Sequence, residues 1–268
     1  MQGEYPLAST EKERQRLKIQ AAALVPLTER TLSGAGVTIG SRVLELGCGS
    51  GEVTKLLASR IGPTGEVVAV DRDAAQIAAA AEHLTAAGYR NVRHVVADVE
   101  DFEPTGTFDA VIGRYFLMYV TNPESIVRKA AQWLRPGGSI AFIEMDLFRG
   151  AGSRIWPPPA DKTIRAIEFI GHVMIDAGTN TDMAARLPSM LSHYGEVHAE
   201  AVAPIQFGAM SIELPIEAVR SVQPIARKLG RQDAYEYDVD ALLADELSQR
   251  DAHTVTIPPL TIAAWVRI

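Results

Sequence analysis

Cysteine is nearly missing from this chain: Cys48 is the only one in 268 residues. No internal disulfide can form, and no cysteine cluster can hold zinc or an iron–sulfur centre. There is no run of 18 apolar residues and no charged-then-apolar leader, so the sequence predicts a cytoplasmic protein with no membrane span. Basic excess is absent too. With 26 Lys and Arg against 33 Asp and Glu, the net charge is -7, which argues against a broad nucleic-acid surface. Two phosphate-binding patterns are also missing. No G-x-x-x-x-G-K run followed by Ser or Thr exists, and the dinucleotide spacing G-x-G-x-x-G fails because Glu52 occupies its third glycine position.

What is present is a strand pattern that runs straight into glycine. Residues 43–51 read ValLeuGluLeuGlyCysGlySerGly, placing Gly47, Gly49 and Gly51 at alternate positions. Glycine has no Cβ and tolerates positive φ, so such a run lets backbone turn sharply and approach a ligand. Cys48, between two of these glycines, reads as a small residue that fits. Twenty residues after Gly51 a second apolar run ends in Asp71, and a third ends in Asp98. Strand and helix patterns alternate from residue 43 to residue 145, a βαβ rhythm that predicts a doubly wound, mostly parallel sheet. Both acids then fall at the carboxyl ends of strands, where open α/β sheets bind ligands.

These residues resemble the class I S-adenosylmethionine-dependent methyltransferases, and specifically the ubiquinone/menaquinone-biosynthesis-like group that acts on small molecules. GluLeuGlyCysGlySerGly matches the glycine loop of that family, Asp71 its ribose-binding acid, and AlaAspVal at residues 97–99 its adenine contact. PheAspAlaValIleGlyArg at residues 108–114 matches the fourth-strand motif, and LeuArgProGlyGly at residues 134–138 the turn into the fifth strand. The resemblance implies a seven-stranded Rossmann-like sheet, S-adenosylmethionine as cofactor, and a small hydrophobic metabolite methylated at oxygen or carbon. It implies cofactor contacts from Tyr5, Gln20, Glu45, Gly47, Gly49, Gly51, Asp71, Arg72, Asp98, Val99 and Arg114. Metal-using relatives place an acid where Arg114 stands, and no histidine pair substitutes for it, so no metal is expected. The GlyArgTyrPhe sequence lacks the Pro-Pro-Tyr of enzymes that methylate amide or base nitrogen.

The additions to this core are a leading helical arm (residues 1–33) and, within a catalytic domain spanning residues 34–268, cap helices at about residues 155–178 and 205–257. They are expected to gather over the carboxyl edge as a lid. Leu17, Ala21 and Leu24 are spaced as one helix face, and Ser9 or Thr10 can cap that helix. Candidate bases are Glu144 at the fifth strand end, with Asp146 beside it, and the histidines His172 and His253. Tyr115, Tyr119, Phe148 and Trp156 suit an aromatic or apolar acceptor. An RNA methyltransferase, or a cofactor-binding protein that cyclises a substrate or serves as a non-catalytic subunit, is the alternative. Neither nucleic acid nor membrane is expected as a partner; a homo-oligomer is compatible with the composition.

Overall fold

The apolar runs that alternate with helical stretches become parallel neighbours in one sheet. The computed structural model describes residues 11–147, 154–157 and 161–268. In it β1 (Arg42–Leu46), β2 (Glu66–Asp71), β3 (Val92–Val96), β4 (Phe108–Arg114), β5 (Leu134–Met145), β7 (Val197–Val202) and β10 (Thr261–Arg267) form a sheet of order β3-β2-β1-β4-β5-β10-β7. Neighbours among β1 to β5 run parallel, and β10 lies antiparallel to β5. This is the expected seven-stranded, mostly parallel, Rossmann-like sheet. Three short strands, β6 (Arg154–Trp156), β8 (Gln206–Phe207) and β9 (Val255–Ile257), make a separate sheet of order β6-β9-β8 that the sequence did not foretell.

The chain divides into two compact units. The sheet unit holds residues 24–145, 183–201 and 261–268; the other holds residues up to 23, 146–182 and 202–260. In the sheet unit, Val43, Val67, Ala69, Ala110, Ile112 and Ala141 point to one face, as the two-residue period of a strand requires. They pack under Leu57 and Ile61 of α3 (Glu52–Ile61) and Ile77 of α4 (Ala74–Ala86), each such buried side chain contributing roughly 1.5–3 kcal/mol. Helix α4 starts at Asp73, whose side chain accepts the Ala75 and Gln76 N–H groups. Helix α5 (Pro123–Gln132) starts at Asn122, with Pro123 in its first turn.

In the other unit, α6 (Asp161–Asp176), α8 (Met210–Lys228) and α9 (Val239–Ser248) pack together, with α1 (Glu11–Ala23) against α8. Within the expected cap region at about residues 205–257, α8 runs on through Pro215 and Pro224. The leading segment is two helices, not one. Helix α1 ends at Ala23, and α2 (Val25–Gly34) restarts with Pro26 in its first turn, where the missing N–H is no loss. Helix α2 and α7 (Met183–Leu191) belong to the sheet unit. No helix among the described residues is long and apolar enough to cross a membrane.

Candidate functional site at the carboxyl edge of the sheet

Strand register decides which side chains meet. Leu46 pairs with Val70 on one side and Gly113 on the other, and Asp71 pairs with Val96. The carboxyl ends of β1, β2, β3 and β4 therefore lie side by side, and strand order reverses between β1 and β4. That reversal opens the crevice in which α/β sheets bind ligands. The glycine loop leaves β1 at this point. Gly47 and Cys48 donate to the Val70 carbonyl (2.9 and 3.1 Å), which fixes the loop to β2.

The three loop glycines do different work. A Cβ on Gly47 (φ 69°) would lie 2.4 Å from Cδ2 of Phe116, so that ring sits on glycine backbone. A Cβ on Gly51 (φ 84°) would press on Ala80 at 3.1 Å, so Gly51 lets α3 and α4 come together. At Gly49 (φ 49°) a Cβ would meet nothing within 4 Å. The open side of the loop is thus at Gly49, where backbone can meet a ligand.

The strand-end acids face that loop. Asp71 accepts the Gly49 N–H at Oδ2 (2.8 Å) and the Asp73 N–H at Oδ1 (2.9 Å). Each oxygen keeps a second lone pair, so the carboxylate is held in place and can still accept two hydroxyls. Asp71 is not a helix cap, since Asp73 fills that role. Asp98 is exposed and accepts only the Glu100 N–H (2.9 Å) among the described residues. Val99 beside it is buried, and Arg72 is half-buried.

Behind the loop sit a buried carboxyl, Glu45, and a half-buried guanidinium, Arg114. Glu45 is 2% exposed, and its Oε2 has no hydrogen-bond partner among the described residues. Burial pushes its carboxyl up to about 8, against the pull of the Arg114 guanidinium. Arg114 in turn donates from Nη1 to Oγ1 of Thr28 on α2 (3.2 Å), and burial lowers its pKa from the usual value. Burial also pushes the Cys48 thiol up, which leaves it unsuited to nucleophilic work.

The chain leaves β4 through a strained turn. Tyr115 (φ 52°) is the one non-glycine at positive φ among the described residues. Its N–H donates to the Ile143 carbonyl (2.8 Å), and its hydroxyl meets Oγ1 of Thr261 on β10 (2.7 Å). Burial raises the phenol to about 12. Glu144 is fully buried beneath this turn, with Oε1 accepting the N–H groups of Phe116 (3.0 Å) and Leu117 (2.7 Å). Burial pushes its carboxyl up to about 8, although the backbone donors oppose this. Tyr119 follows, half-buried, in a short 3-10 turn (Leu117–Tyr119).

The other candidates lie outside the sheet unit or outside the described residues. Gln20, His172, His253 and Trp156 belong to the second unit; both histidines are exposed, and Trp156 is 68% exposed. Tyr5 and Phe148, like the caps Ser9 and Thr10, lie outside the described residues. Sequence reading missed Phe116 and Thr261 as partners of the turn, and Thr28 as the partner of Arg114. No pattern marks them, because each contact joins distant parts of the chain. Among the described residues no group of three or more His, Cys, Asp or Glu is placed to hold a metal.

Residues 38–187, more than half of the chain, match a family model described as a methyltransferase domain. A curated relative, the ubiquinone/menaquinone biosynthesis C-methyltransferase UbiE of Ectopseudomonas mendocina (strain ymp), is 36% identical over 116 residues. That match covers 42% of this chain and 45% of the relative, so the chain spans less than half the length of the protein it matches. Among solved structures, the 4+2 cyclase SpnF aligns with TM-score 0.56 and 22% identity over 92% of this chain and 81% of its own. Coclaurine N-methyltransferase, bound to N-methylheliamine and SAH, aligns with TM-score 0.55 and 16% identity over 90% of this chain and 71% of its own. At these identities the likeness to both structures is one of fold. With its glycine loop, strand-end acids and sheet order, the chain belongs to the methyltransferase-domain family and has the class I Rossmann-like methyltransferase fold.

Proposed function

We propose that this enzyme methylates oxygen or carbon of a small, hydrophobic, quinone-like or natural-product metabolite, binding its cofactor at the carboxyl edge between β1 and β4. The observation that carries the reading is the pairing of the open face at Gly49 with a prefixed Asp71 carboxylate. Asp71 would hold the ribose hydroxyls, Asp98 the adenine amino group, and the backbone at Gly47 and Gly49 the methionine portion. Arg114 supplies fixed positive charge behind that portion, with the largely protonated Glu45 carboxyl beside it as a polar group, and Arg72 can lie over the adenine face. Bound S-adenosylmethionine supplies an activated methyl group on a sulfonium, with a neutral thioether as the leaving group. The chain's own contribution is therefore orientation and water exclusion at the reacting edge.

Two features support a small acceptor. The turn after β4 brings Tyr115, Phe116 and Tyr119 to the edge, an aromatic set suited to a planar or apolar molecule. The acidic balance opposes a polyanionic acceptor such as RNA. The name of the UbiE relative favours carbon as the acceptor atom. The SpnF likeness keeps cyclisation as the rival reading. Incubation with methyl-labelled cofactor and a panel of phenols, quinols and polyketide-like substrates separates them by product mass. A labelled product heavier by one methylene supports methylation. An unlabelled product isomeric with its substrate would establish cyclisation instead.

A further inference from the structure

Glu144 lies one residue before the end of β5, where a general base would reach a bound acceptor, yet none of its surface is exposed. Its Oε1 is committed to two backbone donors, Phe116 and Leu117, and its Oε2 is buried without a hydrogen-bond partner among the described residues. Those two donors immediately follow Tyr115, the residue held in the left-handed region. That conformation is sterically unfavourable for a tyrosine, and it persists only when its surroundings overdetermine it. The surroundings here are specific: the Ile143 carbonyl accepts the Tyr115 N–H, the Tyr115 hydroxyl shares a hydrogen bond with the Thr261 hydroxyl, and Glu144 accepts the next two N–H groups. The result of the turn is that Phe116 is laid against Gly47, the first glycine of the loop.

We propose that Glu144 is a positioning residue: a buried clamp on the Phe116 and Leu117 amides that locks the β4 exit turn and, through Phe116, seats the glycine loop. The acceptor side of the edge and the cofactor side are thereby joined by one ring. This assigns Glu144 no proton transfer. Burial holds its carboxyl near 8, so at neutral pH the group is largely neutral, and a glutamine of the same length can accept the same two N–H groups. A leucine of similar volume cannot, and it would leave two buried donors unmet.

The link to cofactor affinity rests on the cofactor reading above, so the test has one arm that needs no ligand. Amide exchange of Phe116 and Leu117 is measured in the parent, Glu144→Gln and Glu144→Leu. Affinity for S-adenosylhomocysteine is then measured calorimetrically in the same proteins and in Phe116→Ala, which leaves the buried carboxyl untouched. The clamp predicts slow exchange in the parent and Glu144→Gln, and exchange faster by about tenfold or more in Glu144→Leu. It predicts an affinity loss of about tenfold in Glu144→Leu and Phe116→Ala. Glu144→Gln should rescue both affinity and kcat to within about threefold. Phe116→Ala keeps the ring contact testable even where Glu144→Leu does not fold. Exchange equally slow in Glu144→Leu would overturn the clamp. So would a Glu144→Gln protein that binds like the parent, exchanges slowly and has lost turnover by about a hundredfold, since that pattern belongs to a base. A parent that fails to bind S-adenosylhomocysteine would overturn the cofactor reading and leave the exchange result standing.

Discussion

Two glycines two residues apart should respond to different degrees to the same added methyl group. At Gly49→Ala the new Cβ meets nothing within 4 Å, so the cost to the fold is the left-handed conformation alone, about 1–2 kcal/mol. At Gly47→Ala the Cβ would stand 2.4 Å from Cδ2 of Phe116, which adds an overpacking cost of about 1–3 kcal/mol to the conformational one. At about 2–4 °C per kcal/mol, Gly49→Ala should lower Tm by a few degrees and Gly47→Ala by roughly twice as much. Affinity should nevertheless fall for Gly49→Ala despite its smaller stability cost, because its methyl enters the space where backbone meets the cofactor. A loss of at least about tenfold, about 1.4 kcal/mol, is expected for S-adenosylhomocysteine. Thermal melts with and without ligand, followed by calorimetric titration, give both quantities. If Gly49→Ala bound like the parent, the open face at Gly49 would not be part of the cofactor site.

Three further outcomes follow from the same geometry. Asp71→Ala removes the acceptor for the Gly49 and Asp73 N–H groups as well as the proposed ribose contacts, so titration should show affinity falling by about 1–3 kcal/mol per lost ligand bond, more than for the exposed Asp98→Ala. Glu45 and Glu144 both hold their protons in the fold up to about 8, so their stabilising contribution is complete below the ordinary carboxylate pKa and is lost as pH rises through about 8. Denaturant midpoints should therefore decline between about pH 5 and 8, and Glu45→Gln or Glu144→Gln should each flatten that decline by up to about 1.4 kcal/mol per pH unit; a parent whose stability rises over that range would refute the burial argument. Methyl transfer should survive EDTA, because Arg114 stands at the strand end where metal-using relatives place an acid; activity abolished by chelation and restored by magnesium would contradict this.

The core of the fold was legible because each parallel strand is a short apolar run, and the residue that closes it marks the edge: Leu46 before the glycines, Asp71, and Arg114. The expected cap at about residues 155–178 also contains α6 (Asp161–Asp176). Local periodicity failed where a local rule gave two answers. Leu17, Ala21 and Leu24 share a helical spacing, yet Pro26 opens a second helix and Leu24 becomes its cap residue. Pro215 reads as a breaker, yet α8 continues through it. The strands of the small sheet, two or three residues each, are too short to show a period. At the site, the glycines and acids announced themselves by type and spacing. The Glu144 clamp and the left-handed Tyr115 did not, because they depend on β5 and β10 meeting the turn after β4, contacts that span up to 146 residues.

The most direct measurement is a crystal structure with S-adenosylhomocysteine. The nucleoside should lie at the carboxyl edge between β1 and β4, with both ribose hydroxyls within about 3.2 Å of the Asp71 carboxylate and the amino-acid portion against the backbone of Gly49. Ligand bound away from that edge, or an Asp71 carboxylate that still touches only the Gly49 and Asp73 N–H groups, would contradict the proposed cofactor site.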